Sequence, residues 1–121
     1  MSNVHMINGT LVIVSYVIAL ILNARLALTG VETPGRLQFS FAGATLLALQ
    51  YMLGFSVLGS GQSVPATHYL LAFLAVIPVG IEHGLGAKQD NPRRRGTVGT
   101  IANILTLALV ISAYLIGQNN T

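Results

Sequence analysis

Residues 37–58 read LQFSFAGATLLALQYMLGFSVL, and none of them is charged. A bilayer core about 30 Å thick takes roughly 20 residues of helix to cross, so this stretch has the length and the chemistry of one crossing. Three more apolar stretches flank it. Ile7–Leu28 carries its first charge at Arg25, Ala66–Ala87 is uncharged until Glu82, and Gly96–Gly117 carries no charge at all. The expected fold is all-α: an integral membrane four-helix bundle in a single domain, antiparallel up-down-up-down, with spans at about 7–28, 37–58, 66–87 and 96–117.

The composition agrees. Of 121 residues, 53% are hydrophobic and 7% charged, where a soluble domain carries about 25% charged residues. The absence of cysteine excludes disulfides, thiolate metal ligation and thiol catalysis. Turn chemistry marks the breaks between spans: Thr33-Pro34-Gly35, then the run from Gly59 to Pro65, then Gln89-Asp90-Asn91-Pro92. Gly and Pro at these places stop helices and permit tight reversals. No Lys or Arg precedes the first span, so it lacks the basic region of a secretory signal and reads as a retained helix.

The basic residues number six: Arg25, Arg36, Lys88, Arg93, Arg94 and Arg95. With four spans, all of them fall on one side, at the first and third connections. Short loops rich in Lys and Arg stay cytoplasmic, which places the N- and C-termini on the outer side. Compactness and the lack of a targeting segment favour a bacterial cytoplasmic membrane. Tyr51, Tyr69 and Tyr114 fall near the outer span ends, as an interfacial aromatic belt does. The sequons Asn8-Gly9-Thr10 and Asn119-Asn120-Thr121 lie so close to a membrane or chain end that neither is expected to carry a glycan. Lys88 and the run Arg93-Arg94-Arg95 suit anionic lipid headgroups. The run is short and has no interleaved aromatic residues, so nucleic acid is not an expected partner.

In lipid, helices are held by close packing of small residues and by a few interhelical hydrogen bonds. Candidate faces are Ser15, Ala19, Asn23 and Ala27 in the first span and Ser40, Ala44 and Ala48, with Gly43 beside them, in the second. The third offers Gly80-Ile81-Glu82-His83-Gly84, a GxxxG pattern. The fourth has a stripe of Gly96, Gly99, Asn103, Thr106, Val110, Ala113 and Gly117. Pro78 removes a backbone hydrogen bond and predicts a kink near Leu74.

Ionisable groups inside spans are functional candidates because burying them is costly. Asn23, Arg25, Glu82, His83 and Asn103 converge at the cytoplasmic depth. Their plain reading is an Arg25–Glu82 ion pair with Asn103 as interhelical glue; their functional reading is a binding or proton-handling pocket. Adjacent Glu82 and His83 point about 100° apart on an α-helix, so one of them at most should face such a pocket. Neutral imidazole ligates haem iron or a pigment metal, which makes His68 and His83 candidate cofactor ligands. His5 shares the outer side with His68, but it falls in the short tail ahead of the first span, where fraying opposes ligation. No metal cluster and no catalytic constellation is recognisable, and three acidic residues leave little for paired-carboxylate chemistry.

The expected function is a non-catalytic structural or accessory subunit of a homo-oligomeric or larger membrane complex, a bioenergetic one included. Two alternatives stand beside it. One is a small transporter or channel using the inner polar cluster. The other is a membrane enzyme, or a haem or pigment binder, acting on a lipophilic molecule.

Overall fold

The computed structural model describes residues 2–119, and among these every regular element is helical. Helix α1 spans Ser2–Thr29, α2 Arg36–Gly59, α3 Ala66–Leu74, α4 Val76–Ile81 and α5 Pro92–Asn119; a π turn over Glu82–Gly86 follows α4. Together α3, α4 and the π turn make the third of four segments long and apolar enough to cross a membrane: Asn3–Thr29, Arg36–Gly59, Ala66–Gly86 and Pro92–Asn119.

These helices run past the apolar stretches at several ends because nothing stops them there. The His5 region, expected as a frayed tail, is a regular part of α1. The first helix ends where Gly30 adopts φ 71° and its N–H bonds the Leu26 carbonyl, a left-handed cap that suits glycine. The last begins with Pro92 in its first turn, where a missing N–H costs nothing. The Asn91 Oδ1 accepts the backbone N–H groups of Arg93 and Arg94 at 2.9 and 3.2 Å, which is N-capping.

The centre of the bundle is the pair α1 and α5, with α2 packed on α1 and the third span packed on α5. Partners along α1 fix its direction relative to α2: Asn8 meets Leu46 and Gln50, while Asn23 meets Arg36. The start of α1, the end of α5 and the 60–65 loop thus share one end of the bundle, the terminal end. The basic loops share the other, the basic end. Midway, Val12, Tyr16, Leu47, Ala75, Leu107 and Val110 form the buried apolar core.

Two glycines set the α1–α5 distance. A Cβ on Gly96 would lie 2.4 Å from the Ala27 backbone nitrogen, and one on Gly99 would lie 2.6 Å from the Asn23 side chain. The fourth-span stripe is buried from Gly96 through Ala113. Two other expected stripes are corrected. The buried face of α2 is Arg36, Ser40, Gly43 and Leu47, and Ala48 is exposed; steps of four residues drift about 40° each on a 3.6-residue helix. Gly80 is exposed, and nothing lies within 4 Å of a Cβ on Gly80 or Gly84, so this GxxxG pattern seats no helix within the chain.

The third span is not one continuous α-helix. Its α-helix is interrupted at Ala75, and beyond α4 the Ala87 N–H reaches five residues back to the Glu82 carbonyl. Such π turns often occur at functional sites.

Candidate functional sites at the two ends of the bundle

At the basic end, Glu82 is the hub of a network drawn from all four spans. Asn103 Nδ2 donates to Glu82 Oε1 at 2.9 Å, and Ser40 Oγ donates to Glu82 Oε2 at 2.5 Å. Asn23 Nδ2 donates to Glu82 Oε2 at 3.3 Å and to Asn103 Oδ1 at 2.7 Å. The Asn23 Oδ1 in turn accepts from the Arg36 guanidinium at 2.9 Å. Asn23, Asn103 and Glu82 therefore close a ring in which the two amides and the carboxylate answer one another, and Glu82 is only 6% exposed. A buried polar network is stabilising when its members are satisfied.

Arg36 enters this network in place of Arg25. Arg25 lies two residues from Asn23, about 200° around the helix, and is exposed. Arg36 lies on the buried face of α2 and binds Glu32 through both its Nε and a terminal nitrogen, at 2.5 and 3.2 Å. That hydrogen bond, helped by the charges of Arg36 and Arg95, holds the Glu32 carboxyl below its ordinary range. Arg95 lies 3.7 Å from Glu32, so two carboxylates and two guanidinium groups balance here.

His83 stands at the rim. Its Nε2 lies 3.4 Å from Ser40 Oγ and 3.8 Å from Glu82 Oε1, and its ring packs on Phe41 with centroids 5.0 Å apart. Glu82 reaches Ser40 from the buried side and His83 from the rim, so one of the two faces the cluster squarely. A cavity of about 340 Å³ lies beside them, walled by Arg36, Ser40, Glu82, His83 and Arg95.

The cationic run divides. Arg93 donates to the Leu28 and Thr29 carbonyls and caps α1, and Arg95 donates to the Gln89 carbonyl. Lys88 and Arg94 are exposed.

The terminal end holds a larger cavity of about 540 Å³. His5 and His68 line it from α1 and α3, their rings 6.4 Å apart by centroid and inclined at 75°. Each ring rests on a glycine. A Cβ on Gly54 would come within 3.3 Å of the His5 ring, and one on Gly117 within 2.9 Å of the His68 ring. His68 Nδ1 is 2.7 Å from the Ala113 carbonyl. A carbonyl only accepts, so Nδ1 carries the proton and Nε2 keeps its lone pair. Asn8 Nδ2 donates to Gln50 Oε1 at 2.8 Å, and the Gln50 amide approaches His5 Nε2 at 3.5 Å. His5 Nδ1 is buried and has no hydrogen-bond partner among the described residues.

The three tyrosines expected in an interfacial belt line this cavity. Tyr51 donates to the Ala72 carbonyl and stacks on Phe73, Tyr69 abuts His68, and Tyr114 meets Thr10. Asn8 of the first sequon is buried with its amide nitrogen engaged; residues 120 and 121 of the second lie outside the described residues.

The candidate ligands His68 and His83 are at opposite ends of the third span, and it is His5 that meets His68. Among the described residues no three metal-ligating side chains gather. Sequence reasoning missed Arg36, Ser40, Glu32 and Gln50 as site residues. A signal existed for the first two: Arg36, Ser40, Gly43 and Leu47 recur at helical spacing, which puts the arginine on the buried face.

Compared with protein-family models, with curated proteins and with solved structures, the chain matches none.

Proposed function

We propose that the chain is an integral membrane protein of four antiparallel crossings that holds a lipophilic molecule in its terminal-end cavity. It acts without catalysis, as an accessory subunit of a homo-oligomer or of a larger membrane complex. Both termini and the cavity lie on the outer side. The basic end lies in the cytoplasm of a bacterial cell, where Lys88 and Arg94 meet anionic headgroups. The clustering of all six basic residues at one end supports this orientation.

The observation that carries the binding reading is the glycine seating of His5 and His68 at a cavity of about 540 Å³, a size that suits small-molecule sites. Its aromatic wall favours an apolar ligand body, and the His68 Nε2 lone pair and the unpartnered His5 Nδ1–H offer one acceptor and one donor. Exposed apolar side chains along all spans, such as Ile21, Met52, Ile77 and Ile104, suit lipid or neighbouring subunits.

Native mass spectrometry on protein extracted from its own membrane in mild detergent tests this reading. The expected spectrum shows a bound small molecule that is lost on Gly117→Val, which fills the His68 seat, together with additional copies or foreign subunits. Bare chain in both samples contradicts it.

One observation favours a second reading, a proton or ion path. The Tyr16 hydroxyl is buried without a hydrogen-bond partner halfway along the first span, between the two cavities. Against it, both Glu82 oxygens are already engaged. Flux above that of empty vesicles, abolished by Tyr16→Phe, would favour the path.

A further inference from the structure

We propose that the molecule held between His5 and His68 is a haem, with its iron ligated by both imidazoles. This rests on the binding reading above and names its ligand class.

The spacing is the first argument. An iron bonded at about 2 Å to a nitrogen of each of two imidazoles sets their ring centroids a little over about 6 Å apart. The centroids of His5 and His68 are 6.4 Å apart. In direct stacking or edge contact, aromatic rings stand about 4.5–7 Å apart, so spacing alone leaves both arrangements open, and the remaining observations separate them.

The second argument is the preparation of His68. A metal-bound histidine characteristically gives its other ring N–H to a carbonyl or carboxylate, which fixes the tautomer and the ring orientation. His68 does this with the Ala113 carbonyl at 2.7 Å, and its Nε2 lone pair remains for a metal. Gly117 leaves room for the ring in this orientation, since a Cβ there would lie 2.9 Å from it.

His5 supplies the opposite face. It rests on Gly54, and its contact with the Gln50 amide, at 3.5 Å, stands at the limit of a hydrogen bond and competes weakly for the Nε2 lone pair. Its buried Nδ1 has no partner among the described residues.

The walls match the rest of the ligand. Tyr51, Phe55, Phe73 and Val110 line the cavity with apolar surface, and Asn3, Gln62 and Ser63 line it with polar groups from the chain end and the 60–65 loop. A flat apolar macrocycle with two carboxylates on one edge suits that division, its carboxylates turned to the neutral hydrogen-bonding side chains.

The test is a titration of purified, detergent-solubilised protein with ferric haem b, followed by visible absorption. The expected result is a saturable Soret shift at one haem per chain, with a six-coordinate low-spin spectrum. His68→Ala and His5→Ala each lose the low-spin spectrum, and added imidazole restores it in His68→Ala. His83→Ala, at the other end of the bundle, keeps it. Should a histidine variant fail to fold by circular dichroism, Gly117→Val replaces it, and this variant is expected to lose the spectrum while keeping both imidazoles. No saturable shift, or a low-spin spectrum that survives in both histidine variants, overturns the haem. A different lipophilic molecule co-purifying in the cavity and resisting exchange with haem overturns the haem and leaves the binding reading standing. Neither haem uptake nor any retained molecule overturns both.

Discussion

Asn23 shows how much one amide can organise inside an apolar helix bundle. Its nitrogen serves Glu82 and Asn103 while its oxygen receives Arg36, so Asn23→Ala removes three hydrogen bonds and strands their partners. At about 0.6–1.5 kcal/mol for each, the expected loss is about 2–4.5 kcal/mol, read from reversible unfolding in mixed detergent micelles. Arg36→Gln leaves a buried carboxylate network short of its cation and should cost about 3 kcal/mol, whereas Arg25→Gln, on an exposed position, should stay within about 0.5 kcal/mol. Equal losses for the two arginine variants would contradict the assignment. Glu32 adds a pH dependence. Its carboxyl is held below the ordinary value of 4.5 by Arg36, so its stabilising contribution is complete above that pH and fades as the pH falls below it through the folded value. Glu32→Gln should flatten this acid limb of the melting profile; an unchanged limb would show that Glu32 does not supply it. Asn23, Glu82 and Asn103 were legible in the sequence because polar side chains stand out in apolar spans. Arg36 was not, because a positive residue at a loop boundary already has a reading as a topology signal, and only its register with Ser40 and Gly43 betrays the inward turn.

Among the elements, α5 is the one whose sequence predicted its packing most fully. Its small-residue stripe coincides with the buried face because steps of three and four alternate and follow the 3.6-residue period. The α2 stripe, spaced by fours, drifted off that face, and the Gly80–Gly84 pattern met no helix. Substitutions should therefore sort by contact and not by motif. Gly96→Val must push α1 away from α5, since its Cβ would lie 2.4 Å from backbone, and is expected to cost at least about 2 kcal/mol or to abolish folding. Gly80→Ala, in open space, should be neutral or gain up to about 1 kcal/mol in helix propensity. Thermal unfolding of the two variants checks this, and a harmless Gly96→Val would refute the close α1–α5 approach. The π turn had no sequence signal beyond Pro78.

At the scale of the whole molecule the two ends divide the work: one closes a polar network across all four spans, and the other keeps a cavity open between two histidines. Segment number and the common side of the basic residues could be read from composition and loop charge. The cavity could not, because it depends on His5 continuing in helix and on Gly54 and Gly117 facing inward from different spans. The proposed orientation predicts that single cysteines at Ser60 and at Asp90, introduced into a chain with none of its own, react with impermeant reagents from opposite sides, Ser60→Cys from outside the cell. Labelling of both from one side would refute it. The division of labour is tested most directly by native mass spectrometry of His68→Ala beside Asn103→Ala, each read for its bound small molecule and for its resistance to unfolding in the gas phase. The account predicts that His68→Ala loses the molecule and keeps nearly the wild-type resistance, while Asn103→Ala keeps the molecule and unfolds more readily. The reverse pattern, or retention of the molecule by both variants at equal resistance, would contradict it.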